Sequence, residues 1–431
     1  MQAGFARVCI NPPIGTKMLG WSGRDAEKGC TAIHDDLYVR ALCVSHEGQE
    51  AIILAYDLCF PHRTDVDQFK GAIGRRIDIA PSRILTNASH THAGPRLGMW
   101  GNSIYDSLDR RYADEAEAAT VEAACRARED MREATLHAVR AHTRVPLSRR
   151  RPEPDGTVSF APYPDGFIHD ALPICMLKGR DGKPVCLLFG IACHPSTAFG
   201  WEISADYPGY ACRELDAWLG AAASMFLQGT GGDTKVCVIA GDKEWKRGTH
   251  QDAEKAGHML AQEVMGAVKA GLHECRPAVR ARSVEMQWPA EPAPGREAFE
   301  AVVSDSNSSE LRRMWAQREI ELLDRRGGFP TRVPVACHGI KLAEGVRIVG
   351  LEGEAVAGLG ALIEGFYGNG VTFALGYTDG AQLYLPTEAM LEEGGYEVDS
   401  FWEYGFPSRL ARGFEKELRD ALMRLRASGV D

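Results

Sequence analysis

Apolar positions along this chain switch repeatedly between a period of two and a period near 3.6, and the switches mark the expected elements. Leu37 to Ser45 and Glu50 to Asp57 read as strands on either side of His46-Glu47-Gly48, a hairpin turn. Asp65 to Arg76 has helical spacing, Arg83 to Ser89 returns to a strand, and Leu108 to Asp130 is a long helix rich in Ala and Glu. Leu172 to Lys178 and Val185 to Cys193 read as strands, and Tyr207 to Leu219 and Gln251 to Ala270 as helices. Val333 to Leu342 with Gly345 to Leu351 forms a second hairpin pattern, followed by a helix over Ala355 to Tyr367. Pro407 to Ala427 closes the chain with an amphipathic helix pattern. The mixture predicts an α/β (mixed α+β) fold of mixed sheets packed with helices. The polar, Pro- and Gly-bearing stretches at Arg151 to Asp165 and Pro289 to Arg296 are too short for interdomain linkers. One catalytic domain over residues 1–431 is therefore expected.

Composition narrows the class. At 431 residues, 45% hydrophobic and 25% charged, the chain can bury a large core. Its longest apolar runs, Ala51 to Ala55 and Val185 to Cys193, are strand-length and far short of a membrane span. The first residues lack the charged-then-apolar layout of a signal peptide, so a cytoplasmic location is expected. Acidic residues outnumber basic ones 59 to 49, for a formal charge of −10, and Arg149-Arg150-Arg151 is the only dense basic cluster. That balance argues against nucleic acid as a partner; with the short apolar runs and no export signal, a small-molecule substrate and no stable membrane association are expected. The 12 cysteines are dispersed with no Cys-X-X-Cys pair, and most sit in apolar segments as reduced, packed side chains.

The candidate chemistry gathers where strands end. In Asn87-Ala-Ser-His90-Thr-His92-Ala-Gly-Pro95, the two imidazoles share one face of an extended backbone and can converge on a divalent metal. His-X-His pairs also occur on solvated strands. His194 stands where Leu188 to Cys193 stops at Pro195; a hydrogen-bonded structural histidine is the other reading. Glu354 follows the run Arg347 to Gly353, where an acidic residue at a helix N-terminus is also stabilised by the helix dipole. Tyr384 precedes a Leu-Pro-Thr turn, a place where most tyrosines are simply packed.

Taken in order, Ile10-Asn-Pro-Pro-Ile-Gly, His34-Asp-Asp-Leu-Tyr-Val-Arg40, Ser89-His-Thr-His-Ala-Gly-Pro95, His194-Pro195, Gly353-Glu354, Gly376-Tyr-Thr-Asp and Tyr384-Leu-Pro-Thr387 resemble the catalytic domain of neutral (non-lysosomal) ceramidases and their bacterial relatives. The similarity runs from about Gly4 to about Tyr396. The resemblance implies Zn²⁺ held by His90, His194, Glu354 and Tyr384, with His92 at the scissile carbonyl or its oxyanion. It also implies that Tyr396 touches the reacting group and that Arg149, or its neighbour Arg150, holds substrate. Such a mixed N/O set leaves room for a water, whose pKa zinc lowers from about 15.7 towards about 7.

Two departures shape the expected substrate. The ceramidase segment Gly-Asp-Val-Ser-Pro-Asn corresponds here to Gln228-Gly-Thr-Gly-Gly-Asp233-Thr-Lys-Val236, with Lys235 in place of the serine. A lysine aimed into the pocket suits an anionic or polar substrate; one reaching solvent does nothing of the kind. The further β-sandwich domain of ceramidases is expected to be absent. Arg96 and Trp201, each just past an expected ligand, are candidate substrate contacts or plain loop residues. Asp233 is expected to contact substrate or, like Asp206 and Asp57, to orient an imidazole; helix capping is the alternative for Asp206. The glycine-rich loop Gly229 to Gly232 offers backbone N–H groups to an anion. The expected activity is zinc-dependent hydrolysis of an amide (C–N) or related acyl bond in a small polar substrate. An esterase or lactonase with the same site, or a catalytically silent metal- or metabolite-binding protein, is the alternative.

Overall fold

A computed structural model describes residues 1–21, 24–25, 28–97 and 110–431. Its helices are α1 (Arg63–Ile77), α2 (Arg110–Glu129), α3 (Asp206–Leu219), α4 (His250–Ala270), α5 (Arg296–Ser304), α6 (Glu310–Arg326), α7 (Ala357–Tyr367), α8 (Met390–Glu393), α9 (Tyr396–Asp399) and α10 (Phe414–Ala427). The larger of two facing sheets runs in the order Ser224–Gln228, Pro184–Ile191, Ala171–Gly179, Arg132–His142, Gln2–Cys9, Tyr38–His46, Gln49–Tyr56, Ile84–Ala88, with His273–Cys275 joined to Arg132–His142. The smaller runs Pro277–Pro289, Arg332–Ala343, Val346–Leu351, Val371–Leu375.

Side-chain alternation explains why the strands read as nearly unbroken apolar runs. Leu42, Val44 and Ile53 point inward with Leu136, Leu188 and Leu227 against Ile340, Ile348 and Phe373 of the smaller sheet. Their neighbours Val39, Ala41, Ile52 and Leu54 point the other way, onto Phe69 and Ile73 of α1 and Ala123 and Ala124 of α2. Further along the same outer face, Leu187 and Phe189 meet Tyr207 of α3 and Leu260 and Val264 of α4. The smaller sheet is covered outside by Leu359 and Ile363 of α7 and by Phe414, Leu418 and Leu422 of α10. The result is four layers, helix, sheet, sheet, helix, in which the central strands are buried on both faces.

The mixed α/β class stands, and most expected elements lie within a residue or two of their places. The first hairpin closes through Glu47 at φ 49° and Gly48 at φ 73°, the left-handed pair that a tight two-residue turn requires. Leu108 lies outside the described residues, and α2 is described from Arg110. Arg151 to Asp165 contributes to a small sheet in which Pro146–Pro152 pairs with Val158–Tyr163 and with Thr234–Val236. Two expectations need correction. The helix read from Ala355 begins at Ala357, because Glu354–Ala355 pairs in parallel with Tyr384–Leu385. The last helix begins at Phe414 rather than Pro407: Gly413 takes φ 112°, and Glu388 Oε1 accepts from the Gly413 and Glu415 N–H groups. No helix among the described residues is long and apolar enough to cross a membrane. All 12 cysteines are free thiols.

Helices α5 and α6 form a separate cap in which Phe299, Trp315 and Ile320 pack with Phe401 and Trp402. Glu319 sits on the buried face of α6, with neither carboxylate oxygen hydrogen-bonded. Burial pushes its carboxyl up to about 7. A raised carboxyl costs nothing below the unfolded pKa of about 4.3 and its full penalty above the folded one. Glu319→Gln is therefore expected to stabilise the protein by roughly 2–3 kcal/mol at pH 8 and to be nearly neutral at pH 4. Urea unfolding at the two pH values checks this, and equal effects at both would exclude a buried ionised carboxylate.

Candidate metal centre

Three parallel strand pairs bring their carboxyl ends to one place, the position at which open α/β sheets bind ligands. Ile84–Ala88 runs parallel to Gln49–Tyr56, Pro184–Ile191 to Ser224–Gln228, and Val346–Leu351 to Val371–Leu375. Asn87, 1% exposed, ties these ends together. Its amide donates to the Gly376 carbonyl at 2.8 Å and its oxygen accepts from the Gln228 N–H at 2.7 Å. Just beyond the strands the backbone turns sharply. His90 (φ 68°), Tyr377 (φ 48°) and Asp379 (φ 58°) all occupy the left-handed region, a strain of about 1–3 kcal/mol apiece that functional sites tolerate.

Those turns converge three side chains. His90 Nε2 lies 3.2 Å from His194 Nε2 and 3.1 Å from Glu354 Oε2, and His194 Nε2 lies 3.3 Å from the same oxygen. Each ring is fixed from behind by a backbone carbonyl. His90 Nδ1–H donates to Cys59 O at 2.9 Å, and His194 Nδ1–H to Gly231 O at 2.7 Å. Both Nε2 atoms therefore face each other and an anionic oxygen, which only a shared positive charge makes favourable. A proton partly answers this: burial opposes charge on His90, but Glu354 and Cys59 outweigh it and raise the ring to about 10. Burial and the Arg149 charge push His194 down to about 3. Burial opposes charge on Glu354 too, yet His90 and His194 hold its carboxyl well below the usual range. A divalent cation would satisfy all three groups at once. Tetrahedral zinc with bonds of about 2.0–2.1 Å spaces its ligand atoms about 3.3 Å apart, close to what is observed here. The donor set fits the ion.

Glu354 is aimed by two phenols, with Tyr377 Oη donating to Oε2 at 3.2 Å and Tyr404 Oη to Oε1. Tyr377 also stacks on His90 at 4.2 Å, opposite Phe60 at 5.7 Å. Tyr384 Oη is 3.4 Å from His194 Nε2, and Arg149 donates to it at 2.9 Å. Burial holds the Tyr384 phenol well above its ordinary pKa, with Arg149 pulling the other way. His92 Nε2 lies 3.1 Å from His90 Nε2, but its Nδ1 has no hydrogen-bond partner, unlike the two carbonyl-anchored rings. Burial, together with His90 and His194, keeps the His92 ring neutral.

The two arginines separate. Arg149, 3% exposed, is clamped between Glu397 Oε1 at 2.8 Å and Tyr384, whereas Arg150 turns to Glu393, Glu397 and the Gly394 carbonyl. Neither lines the open cavity. Lys235 does not reach solvent: it is 4% exposed, its ammonium enclosed by Trp21 (5.1 Å), Trp245 (5.4 Å) and Phe160 (5.8 Å). Burial lowers it to about 8. Tyr396 lines the cavity with its Oη donating to Glu403 at 3.0 Å.

The acidic residues and the glycine loop serve the frame. Asp233 Oδ1 accepts from the Ala357 N–H at 2.8 Å at the start of α7, and Asp206 Oδ2 accepts from the Thr197 and Ala198 N–H groups. Asp57 pairs with Arg40 at 2.7 Å. None of the three touches an imidazole ligand; backbone carbonyls do that work. In the loop Gly229 to Gly232, a Cβ on Gly231 would lie 2.4 Å from the Cys193 N atom, and one on Gly232 2.6 Å from Glu354 O. The glycines allow the close approach that seats both His194 and Glu354. Arg96 is buried with its N–H on Lys17 O, and Trp201 packs beneath Arg24 and Lys28; neither lines the cavity.

The cavity over the cluster measures about 370 Å³ and is walled by Leu19, Trp21, Phe60, Leu311, Trp402 and Tyr396. A wider groove of about 690 Å³ between α1 and α2 holds none of the converging imidazoles. Sequence reasoning missed Tyr404, Tyr377, Cys59 and Glu397. Tyr377 was signalled by its place in Gly376-Tyr-Thr-Asp at a strand end, while Tyr404 sits on a short helical turn with no local mark.

No protein-family model and no curated protein matches the chain. Solved structures do. A neutral ceramidase from Pseudomonas aeruginosa superposes with a TM-score of 0.74 over 99% of this chain and 74% of that chain, at 14% identity. A ceramidase complexed with C2 gives a TM-score of 0.72 over 99% and 75% respectively, also at 14% identity. The chain has a ceramidase-like fold.

Proposed function

We propose that this chain is a zinc-dependent hydrolase that cleaves an amide or related acyl bond in a small polar substrate. The observation that carries the reading is the approach of His90, His194 and Glu354 to within 3.1–3.3 Å of one another under an open cavity. That the fold is shared with proteins named ceramidases favours amide cleavage. A cavity of about 370 Å³ suits a small substrate.

His90, His194 and Glu354 hold the ion in this reading, with Tyr384 beside them as a fourth donor. Zinc bound there supplies a Lewis acid and an acidified water. His92, on the cavity wall, presents a neutral ring that donates a hydrogen bond to oxyanion or leaving group. Arg149 holds Tyr384 Oη in place and favours its ionised form. Tyr396, positioned by Glu403, faces the bound substrate. Lys235 acts at a distance from behind Trp21, adding positive potential to the cavity rather than a direct contact; Asp233, Arg96 and Trp201 support the surrounding loops.

Purified protein is expected to contain zinc near one equivalent, to lose activity on chelator dialysis and to regain it with Zn²⁺. Release of amine from a panel of polar N-acyl compounds, run beside esters and lactones, tests the bond class. Tightly bound metal with no turnover across all three classes would mark a binding protein instead.

A further inference from the structure

We infer that the chain carries a second transition-metal site, built by His34, Glu202 and His250 on the surface beyond the His194 loop. These three residues come from separate segments whose backbones hold them together. Glu202–Ile203 pairs in parallel with Ala32–Ile33, and the His34 N–H donates to Ile203 O at 2.8 Å. His250 opens α4, which is anchored where Gly248 bridges Ala198.

The side chains are arranged as ligands. The His34 and His250 rings stack at 3.6 Å with 6° between their planes. Glu202 Oε2 sits against their shared edge, 3.0 Å from His250 Nε2 and 3.7 Å from His34 Nδ1. One donor atom from each residue falls within 4.8 Å of the others. Stacked imidazoles carry their nitrogens at the ring edges, and the carboxylate of Glu202 lies at that edge for both rings. His34 Nε2 is 3.0 Å from Tyr210 Oη; donating there leaves Nδ1 bare towards Glu202. His250 Nε2 donates to Glu202 Oε2 at 3.0 Å while its Nδ1 is buried without a partner, so a cation taking the place of the Nε2 proton would keep the same nitrogen and oxygen facing one another. Asp35 and Glu254 add negative charge around Tyr210, against Arg213.

Two imidazoles and one carboxylate select zinc or a neighbouring divalent ion over magnesium or calcium, with water completing the shell. The rings must splay slightly to point at one centre, and side-chain exposures of 37% for His34 and 22% for His250 leave room for that. A cation here opposes the dipole of α4 and is open to solvent, so this site binds more weakly than the buried cluster. Occupied, it staples the segment leaving His194 to α4.

The test titrates chelator-stripped full chain with Co²⁺ and then Zn²⁺, following visible absorption and heat. The wild-type protein is expected to take a second, weaker equivalent. His34→Ala/His250→Ala and Glu202→Gln should each lose it while keeping the tight one. His90→Ala/His194→Ala should keep it, and excess zinc should still raise the Tm of that variant. If His34→Ala/His250→Ala takes the same equivalents with the same affinities as wild type, the second site does not exist. Separate variant pairs report on the two centres, so failure of one leaves the other reading intact.

Discussion

His194→Ala is expected to strip the metal and to lower turnover by a factor of roughly 10³ or more, about 4 kcal/mol of transition-state stabilisation. His90→Ala should behave alike. Each substitution removes one of two carbonyl-anchored Nε2 donors and leaves Glu354, buried and anionic, facing a single ring. The decisive comparison is His92→Ala. That ring lies as near to His90 as His194 does but lacks an anchor at Nδ1, so its removal should spare the metal and cost roughly 10²–10³ in kcat. Elemental analysis of the three variants separates the roles. Full zinc in His194→Ala, or metal loss in His92→Ala matching the other two, would overturn the assignment.

The second large effect is on stability. Asp379→Ala is expected to destabilise the protein by roughly 3–5 kcal/mol at pH 7. Asp379 Oδ2 meets Lys70 Nζ at 2.6 Å and His338 Nδ1 at 2.7 Å, while Oδ1 accepts from the Thr86 N–H at 3.0 Å. All are buried, so deletion leaves a cation and a backbone donor without their partner. Burial works against charge on Asp379, but Lys70 and His338 prevail and hold its carboxyl well below the usual range. A depressed carboxyl stabilises fully above the unfolded pKa of about 3.9, and that contribution fades as pH falls below it towards the folded value. The gap between wild type and variant should be constant from about pH 5 to 7 and narrow in stronger acid. Denaturant curves across that range check both the size and the sign; a gap under about 1 kcal/mol would mean the network is solvated.

Much of the scaffold was legible along the chain because its signals are local. Periods of two and 3.6 mark Tyr38–His46, Gln49–Tyr56, α3 and α4 without reference to anything distant. Gln2–Cys9, with intermediate burial through its second half, and α6, whose apolar positions are sparse among charges, carry no such signal and passed unread. The ligand types were legible too, since each stands where an apolar run stops at a turn. Their company was not. His90 and His194 are 104 positions apart, and Asn87, which ties the strand ends, reaches a carbonyl 289 positions away.

Element types, the α/β class and the standing of imidazole, carboxylate and phenol at strand ends follow from patterns a few residues long and are written in the chain. Which nitrogen each ring presents, that Arg149 rather than Arg150 turns to Tyr384, that Lys235 is sealed among aromatic rings, and that Asp233 and the glycine loop brace the frame all arise from long-range packing. Those outcomes depend on hydrogen-bond partners and burial supplied by remote segments, and a side chain's chemistry is set by what surrounds it once the layers have closed.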